Sequence, residues 1–110
     1  KQIMQDLKIR KVTDTEAEFE DSLNNLRAQI NVADNQLLEV LGRRMKIADQ
    51  IGALKKEKNV AVLQSKRWNE ILGNMILEGE QKGLSEEFVL RMFKAIHQES
   101  INHQETVIKA

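Results

Sequence analysis

The feature that most constrains the fold is a run of apolar residues spaced alternately three and four apart, in a chain that contains no proline. This spacing keeps one face of an α-helix apolar, and proline is the residue that most strongly interrupts a helix. The run consists of Phe19, Leu23, Leu26, Ile30, Ala33, Leu37, Val40 or Leu41, Ile47 or Ala48, Ile51 and Leu54. It predicts one long helix that begins at Asp21 or Ser22 and ends at the lysine run before Asn59.

Two shorter helices are predicted after the long one. The second should begin at Leu63 or Gln64 and end at the turn around Gly83, and the third should begin at Ser85, a residue type that caps helix N-termini. The segment LKIRKV alternates as a strand would, but no second segment offers it a partner. We therefore predict an all-α fold of three helices, with residues 1–18 as a linker or tail and residues 19–110 as the folded domain.

The length of the first helix predicts a homodimer. A helix over residues 21–58 spans on the order of 55 Å at about 1.5 Å per residue. A compact chain of about 100 residues has a radius of gyration near 13 Å. Much of the apolar face would lie in water in a monomer, and a second copy of the chain would cover it.

Composition excludes several function classes. The 17 basic and 17 acidic residues are interleaved, so no basic surface is predicted for nucleic acid or for an anionic membrane. Cysteine is absent, which excludes a disulfide framework, and no apolar run is long enough to span a bilayer. His97 and His103 are six residues apart, a poor spacing for a metal pair on a helix, and are expected to be solvent-exposed or supporting side chains. We expect a soluble, cytoplasmic protein without a metal or cofactor.

Polar residues interrupt two of the apolar faces. Arg44 falls in register with the apolar residues of the first helix, and Lys55 follows eleven residues later, close to three turns at about 3.6 residues per turn. On the third helix, the stripe of Val89 and Ile96 continues through Ser100 and Gln104. Buried polar groups are costly unless they are paired. These residues could serve one another, a structural water or a ligand.

Each of these polar residues alone could have a purely structural role, whereas the four together suggest a binding site. Arg44 alone could fix helix register or extend its charged end to solvent, and Lys55 alone is an ordinary cation at a helix end. Ser100 and Gln104 alone could be satisfied core residues. Together, two cations and two neutral donors on two inward faces, with no acidic residue on the stripes, predict a binding site for an anion.

At these positions the sequence resembles the all-helical (type II) class of chorismate mutases. The resemblance begins with LRAQINVADNQLLEVLGRRMKIADQIGALKKEKN, continues through VAVLQSKRWNEIL and ends with AIHQESINHQ, so that it covers the chain from about Leu23 to the C-terminus. It implies an intertwined homodimer with shared active sites. The substrate would be the dicarboxylate chorismate, which rearranges to prephenate without a nucleophile, a metal or a cofactor.

The resemblance also implies a role for each polar position. Arg27 of the other subunit and Arg44 would bind the substrate carboxylates, with help from Arg67 and Ser100. Lys55 and Gln104 would donate hydrogen bonds to the ether oxygen of the substrate. Arg27 lies 17 residues before Arg44, which rotates it by about 100° on an ideal helix, so it cannot serve the same face.

The chain departs from the family at two positions near the substrate hydroxyl. The family commonly carries acidic residues where this sequence has Gln64 and Trp68. Gln64 can still make a polar contact, whereas Trp68 offers only an indole N–H or packing.

Two further expectations concern what lies around the domain and what competes with catalysis. The first residue is Lys1, and KIRKV followed by an acidic stretch resembles a connector to the synthase that begins the shikimate pathway. An upstream fused synthase is therefore the expected partner domain.

The alternative function is a non-catalytic helical dimer, an adaptor or a regulator, in which the arginines of the apolar face only set the pairing.

Overall fold

The computed structural model describes the backbone of residues 2–62 and 65–110, and the side chains of residues 15–62 and 66–110. These residues form three helices, α1 over Gln2–Lys58, α2 over Ser65–Gln81 and α3 over Glu86–Lys109. No strand occurs among the described residues. The predicted all-α class and the three helices are confirmed. The predicted start of the second helix at Leu63 or Gln64 lies outside the described residues.

The predicted start of the first helix was wrong. Helix α1 begins at Gln2, and Asp21 and Ser22 lie within it. No proline occurs in the chain and no glycine precedes Gly42. The sequence before Gly42 therefore contains neither of the two residue types that most strongly disfavour a helix. A potential capping residue does not end a helix when strong helix formers continue on both sides. The assignment of residues 1–18 to a linker remains a prediction.

The ends of α1 and α2 share one hydrogen-bonded motif. Asn59 has a positive φ of 56°, and the N–H of Val60 donates to the carbonyl of Lys55 at 2.9 Å. After α2, Gly83 has a φ of 81°, and the N–H of Leu84 donates across the same interval to Gly79 at 2.8 Å. Both are Schellman motifs, in which a left-handed residue lets the chain satisfy the last helical carbonyls.

Helix α3 starts as predicted. Ser85 is its N-cap, and the Ser85 hydroxyl accepts a hydrogen bond from the N–H of Phe88 at 3.2 Å. Glu86 and Glu87 occupy the first turn, where acidic side chains favour the positive end of the helix dipole.

The chain divides into two compact units, and each has its own character. The unit Lys1–Val40 is helical, and its apolar side chains from Phe19 onward lie largely in solvent. Among its described side chains the large exposed apolar ones are Phe19, Leu26, Ile30, Val32, Leu37, Leu38 and Val40.

The unit Leu41–Ala110 holds the end of α1 together with α2 and α3. Among the described residues, Ala48 and Val89 are the buried apolar ones, and Ser100 and Gln104 are the buried polar ones. Helices α1 and α3 approach closely at Gly52, where an added Cβ would lie 2.9 Å from the Cα of Gln104. The buried side chains of this unit therefore include polar as well as apolar groups.

Across the described residues, no stretch of helix combines the length and the apolarity that crossing a bilayer requires.

Candidate active site

A cavity of about 420 Å³ opens among the three helices of the unit Leu41–Ala110. Its volume lies within the range of roughly 300–1,000 Å³ that small-molecule sites occupy. Helix α1 contributes Arg44, Ile47, Ala48, Ile51 and Lys55; the α1–α2 connection and α2 contribute Val62, Arg67, Trp68 and Ile71; α3 contributes His97, Ser100, Ile101 and Gln104.

The first polar pair joins the middle of α3 to α1. The Arg44 guanidinium donates through Nη1 to the hydroxyl of Ser100, and that hydroxyl lies 3.8 Å from the sulfur of Met45. Ser100 is buried and Arg44 is half-buried. The single hydroxyl occupies only part of a guanidinium that carries five N–H donors, so Arg44 retains donors for a ligand.

The second polar pair also joins α1 to α3. The Lys55 ammonium donates to the Gln104 amide oxygen at 2.9 Å and to the carbonyl of Val62 at 2.5 Å. The Gln104 oxygen is thereby used as an acceptor, which fixes the orientation of the amide and leaves its NH₂ group as a donor. An ammonium carries three donors, so Lys55 has one further donor.

The cavity carries positive charge without a compensating carboxylate. The described residues that line it include Arg44, Lys55 and Arg67 but no aspartate or glutamate. Burial lowers the pKa of Arg44, and the neighbouring charge of Arg67 lowers it further. Burial also lowers the pKa of Lys55. Both shifts have the sign expected of cations that are partly removed from water, and an anion in the cavity would relieve the cost.

Two aromatic rings form a further part of the cavity wall. Trp68 of α2 and His97 of α3 stack with ring centroids 4.0 Å apart and an interplanar angle of 16°. The pKa of His97 is lowered by burial and by the charges of Arg44 and Lys55. His97 is therefore neutral at neutral pH, with one N–H donor and one acceptor nitrogen.

The structure brings together five of the seven predicted site residues, and all five line the cavity: Arg44, Lys55, Arg67, Ser100 and Gln104. Arg27 is exposed, belongs to the unit Lys1–Val40 and is not one of the lining residues. Gln64 lies outside the described residues. The roles predicted for these seven side chains remain predictions.

Sequence reasoning underestimated His97, which was expected to be a solvent-exposed or supporting side chain. It lines the cavity instead. The signal was available in the spacing, because His97 precedes Ser100 by three residues and Gln104 by seven, which places all three on one helical face. His103 lies elsewhere, with its Nδ1 2.8 Å from an Asp49 carboxylate oxygen and its Nε2 3.7 Å from Glu99.

The chemistry available in the cavity is binding and electrostatic stabilisation. Its cations and neutral donors match a ligand that carries several negatively charged oxygens. The described side chains include no group of three or more His, Cys, Asp or Glu residues that could hold a metal ion.

Comparison of the sequence with known proteins identifies relatives of this chain. A family model described as chorismate mutase type II matches residues 26–105. A bifunctional chorismate mutase/prephenate dehydratase of Buchnera aphidicola subsp. Acyrthosiphon pisum is 28% identical over 89 residues, which are 81% of this chain and 23% of that protein. The T-protein of Haemophilus influenzae is 24% identical over 82 residues, 74% of this chain and 22% of that protein.

A second bifunctional chorismate mutase/prephenate dehydratase, from Buchnera aphidicola subsp. Baizongia pistaciae, is 27% identical over 91 residues. The matched part is 83% of this chain and 24% of that relative. The chain therefore spans 22% to 24% of the length of these curated relatives.

Proposed function

The chain belongs to the type II family of chorismate mutases, and we propose that it catalyses the rearrangement of chorismate to prephenate in the formation of phenylalanine and tyrosine. In this isomerisation, the ether C–O bond of the substrate breaks while a C–C bond forms between the side chain and the ring. No atom leaves or enters. The observation that carries the proposal is the pairing of Arg44 with Ser100 and of Lys55 with Gln104 around a cavity whose described lining has no carboxylate.

The carboxylates of the substrate are assigned to the arginines. Arg44 keeps free N–H donors beyond its bond to Ser100, and Arg67 lies on the same cavity. A guanidinium can bind a carboxylate through two parallel hydrogen bonds. Holding both carboxylates would select the folded conformer in which the two reacting carbons approach, and positioning of this kind can supply a large part of a rate enhancement.

The ether oxygen is assigned to Lys55 and Gln104. Negative charge grows on this oxygen as the C–O bond breaks, and preorganised donors aimed at it stabilise the transition state more than the ground state. The bond between Lys55 and Gln104 supports this assignment because it orients the Gln104 amide with its NH₂ group as the donor. Neither residue needs to gain or lose a proton during the reaction.

A homodimer with shared sites completes the proposal. The apolar side chains of Lys1–Val40 are largely exposed in the single chain, for example Leu26 at 56% and Ile30 at 59%. Exposed apolar surface of this kind is typical of a protein interface. Arg27 lies on the same exposed helix. We assign it to the site of the second copy, and Gln64 is assigned a polar contact to the substrate.

The surroundings of the domain also remain proposals. The names of two relatives state a second activity, and the chain spans 23% and 24% of their length. A fused further domain is consistent with this, and from the connector-like segment KIRKV we propose an upstream synthase and, with it, a cytoplasmic location.

Turnover of chorismate tests the function directly. Purified protein is mixed with chorismate, and loss of the ultraviolet absorbance of the substrate is followed together with prephenate formation. We expect turnover by the parental protein, a large loss in Lys55→Ala and parental activity in Lys56→Ala, because Lys56 is the exposed neighbour and lines no part of the cavity. Absence of turnover at micromolar enzyme would favour the adaptor alternative.

A further inference from the structure

The hydroxyl group of the proposed substrate poses a separate problem for this cavity. Chorismate at neutral pH carries two carboxylates, which only accept hydrogen bonds, and one ring hydroxyl, which can also donate. A cavity that recognises the hydroxyl through its proton must offer an acceptor. Every polar side chain of the described lining carries a hydrogen-bond donor, and none is a carboxylate.

Most acceptors of the described lining are already occupied. The Gln104 oxygen and the Val62 carbonyl both accept from Lys55, at 2.9 and 2.5 Å. The Ser100 hydroxyl accepts from Arg44 and is directed toward the sulfur of Met45. Each of these oxygens has a second lone pair, but a donor there would share the oxygen with a contact that holds a cation in place.

His97 is different from these acceptors. Within the part of the chain that the structure describes, its ring makes a stacking contact and no hydrogen bond. Stacking uses the faces of the imidazole and leaves its nitrogen edges free. Burial and the cationic neighbours Arg44 and Lys55 of α1 lower its pKa, and Arg67 of α2 lines the same cavity. The imidazole is therefore neutral at neutral pH and keeps one bare nitrogen.

From this arrangement we infer that His97 accepts the hydrogen bond of the substrate hydroxyl, and that Trp68 is the positioning residue that holds the imidazole in place. The inference rests on the proposed function and deepens it, because it makes His97 the residue that selects a hydroxylated dicarboxylate over one without the hydroxyl. Parallel stacking at 4.0 Å fixes the plane of the imidazole, and helix α3 fixes its distance from Ser100 and Gln104.

The test compares chorismate with the same compound in which hydrogen replaces the hydroxyl. Turnover is measured as kcat/KM, and binding is measured by calorimetry, for the parental protein and for His97→Phe. Phenylalanine retains a ring that can stack on Trp68 but has no nitrogen. We expect the parental protein to prefer the hydroxylated compound on the order of tenfold, and His97→Phe to treat the two compounds alike.

Two further variants separate recognition from packing. His97→Asn retains a short-range acceptor and should recover part of the preference. Trp68→Leu removes the stack that orients the imidazole and should weaken the preference, although the His97 side chain itself is retained. A purely structural role for His97 would alter both compounds equally, so the ratio between them would not change. The preference should also persist through neutral pH and decline only below the ordinary histidine pKa of 6.5, because the pKa of His97 is lowered.

The outcomes distinguish this inference from the proposed function. A parental preference that persists unchanged in His97→Phe overturns the inference, whatever the turnover. Preferential binding of the hydroxylated compound that disappears in His97→Phe, without turnover of either compound, supports the role of His97 and overturns the mutase function. If neither compound binds to the parental protein, both are overturned.

Discussion

The two units of the chain differ in which side chains they expose and which they bury. In Lys1–Val40 the exposed residues include large apolar side chains, such as Leu38 at 66%. In Leu41–Ala110 the interior includes polar side chains that are almost completely covered, with Ser100 at 6% and Gln104 at 8% exposure. The same helix, α1, contributes to both units.

The difference indicates two kinds of missing partner. Apolar surface in water gains free energy of roughly 25 cal/mol for each Å² that another apolar surface covers. Cations that are partly removed from water instead gain free energy from a bound anion, because the anion replaces the favourable interactions with water that burial removed. This contrast underlies the proposals that the first unit pairs with a second chain and that the second unit binds a charged small molecule. The following predictions test this contrast, from the largest expected effect to the smallest.

The largest effect is expected from Arg44→Ala. Removal of one preorganised electrostatic donor typically lowers the rate by on the order of a hundredfold or more. We expect kcat/KM for chorismate to fall by at least that factor, while circular dichroism and sedimentation stay at parental values. Arg43→Ala is the matched control, because Arg43 is the exposed neighbour on α1 and should leave turnover unchanged. Near-parental turnover in Arg44→Ala would remove this residue from the site.

The second prediction joins the two units through the dimer. If Arg27 serves the site of a second copy, Arg27→Ala and Arg44→Ala are each inactive alone, but a heterodimer of the two contains one site with both arginines. Unfolding the two variants together and refolding them should restore about a quarter of parental activity, since random pairing makes half of the dimers mixed and each has one intact site.

Separately tagged copies verify that mixed dimers have formed. The control is each variant unfolded and refolded alone, which should stay inactive. Purified mixed dimers without activity would disprove the assignment of Arg27 to the partner, and would leave the apolar surface of the first unit as an interface without a catalytic role.

The third prediction changes Gln104, the proposed donor at the ether oxygen, into an acceptor. Gln104→Glu should lower kcat/KM on the order of tenfold or more near neutral pH, because an ionised carboxylate cannot donate and repels the growing negative charge. Part of the activity should return as pH falls and the new carboxyl is protonated. An unperturbed glutamic acid titrates near pH 4.3, burial would raise its pKa and neighbouring Lys55 would lower it. The direction of the pH dependence is therefore the decisive observation.

Rates are measured against pH for the parental protein and for Gln104→Glu, with the folded fraction determined at each pH. The parental amide does not titrate, so Gln104 itself should impose no pH dependence. A variant profile that merely parallels the parental one would place Gln104 outside the site and would leave its burial as a packing feature alone.

The smallest effect is expected from a substitution that touches the site only through the backbone. Gly52→Ala places a Cβ 2.9 Å from the Cα of Gln104, so α1 and α3 must move apart. We expect kcat/KM to fall severalfold and the free energy of unfolding to fall by about 1–3 kcal/mol, as in other overpacked contacts. Gly42→Ala is the matched control, because its added Cβ would meet no atom within 4 Å beyond the neighbouring residues and backbone of its own helix.

Chemical denaturation measures both glycine variants. Gly42→Ala should be neutral or stabilise the protein by up to about 1 kcal/mol, since alanine favours a helix more than glycine does. Parental stability and turnover in Gly52→Ala would mean that the close approach of α1 and α3 does not hold Gln104 in place.

The periodicity of the apolar residues was sufficient to predict the three helices and part of the candidate site. The end of α1 before Asn59 and the N-cap at Ser85 follow from local residue chemistry, and the structure has both. The burial of Ser100 and Gln104 follows from their place on an apolar stripe. The start of α1 was mistaken because capping chemistry acts locally, whereas the absence of proline allows the helix to continue past any potential cap.

What the sequence by itself determined is the class of the protein: three helices, a long apolar face on the first of them, and cations at positions where the periodicity asks for apolar residues. What only the tertiary structure decided is which polar groups meet. Arg44 and Ser100 are 56 residues apart, Lys55 and Gln104 are 49 apart, and the stack joins Trp68 to His97 across two helices. Spacing along a helix places side chains on a face, but the packing of separate helices sets which faces oppose each other and at what distance. Gly52 shows the physical reason, because the absence of one Cβ permits the helix approach that brings Gln104 to Lys55.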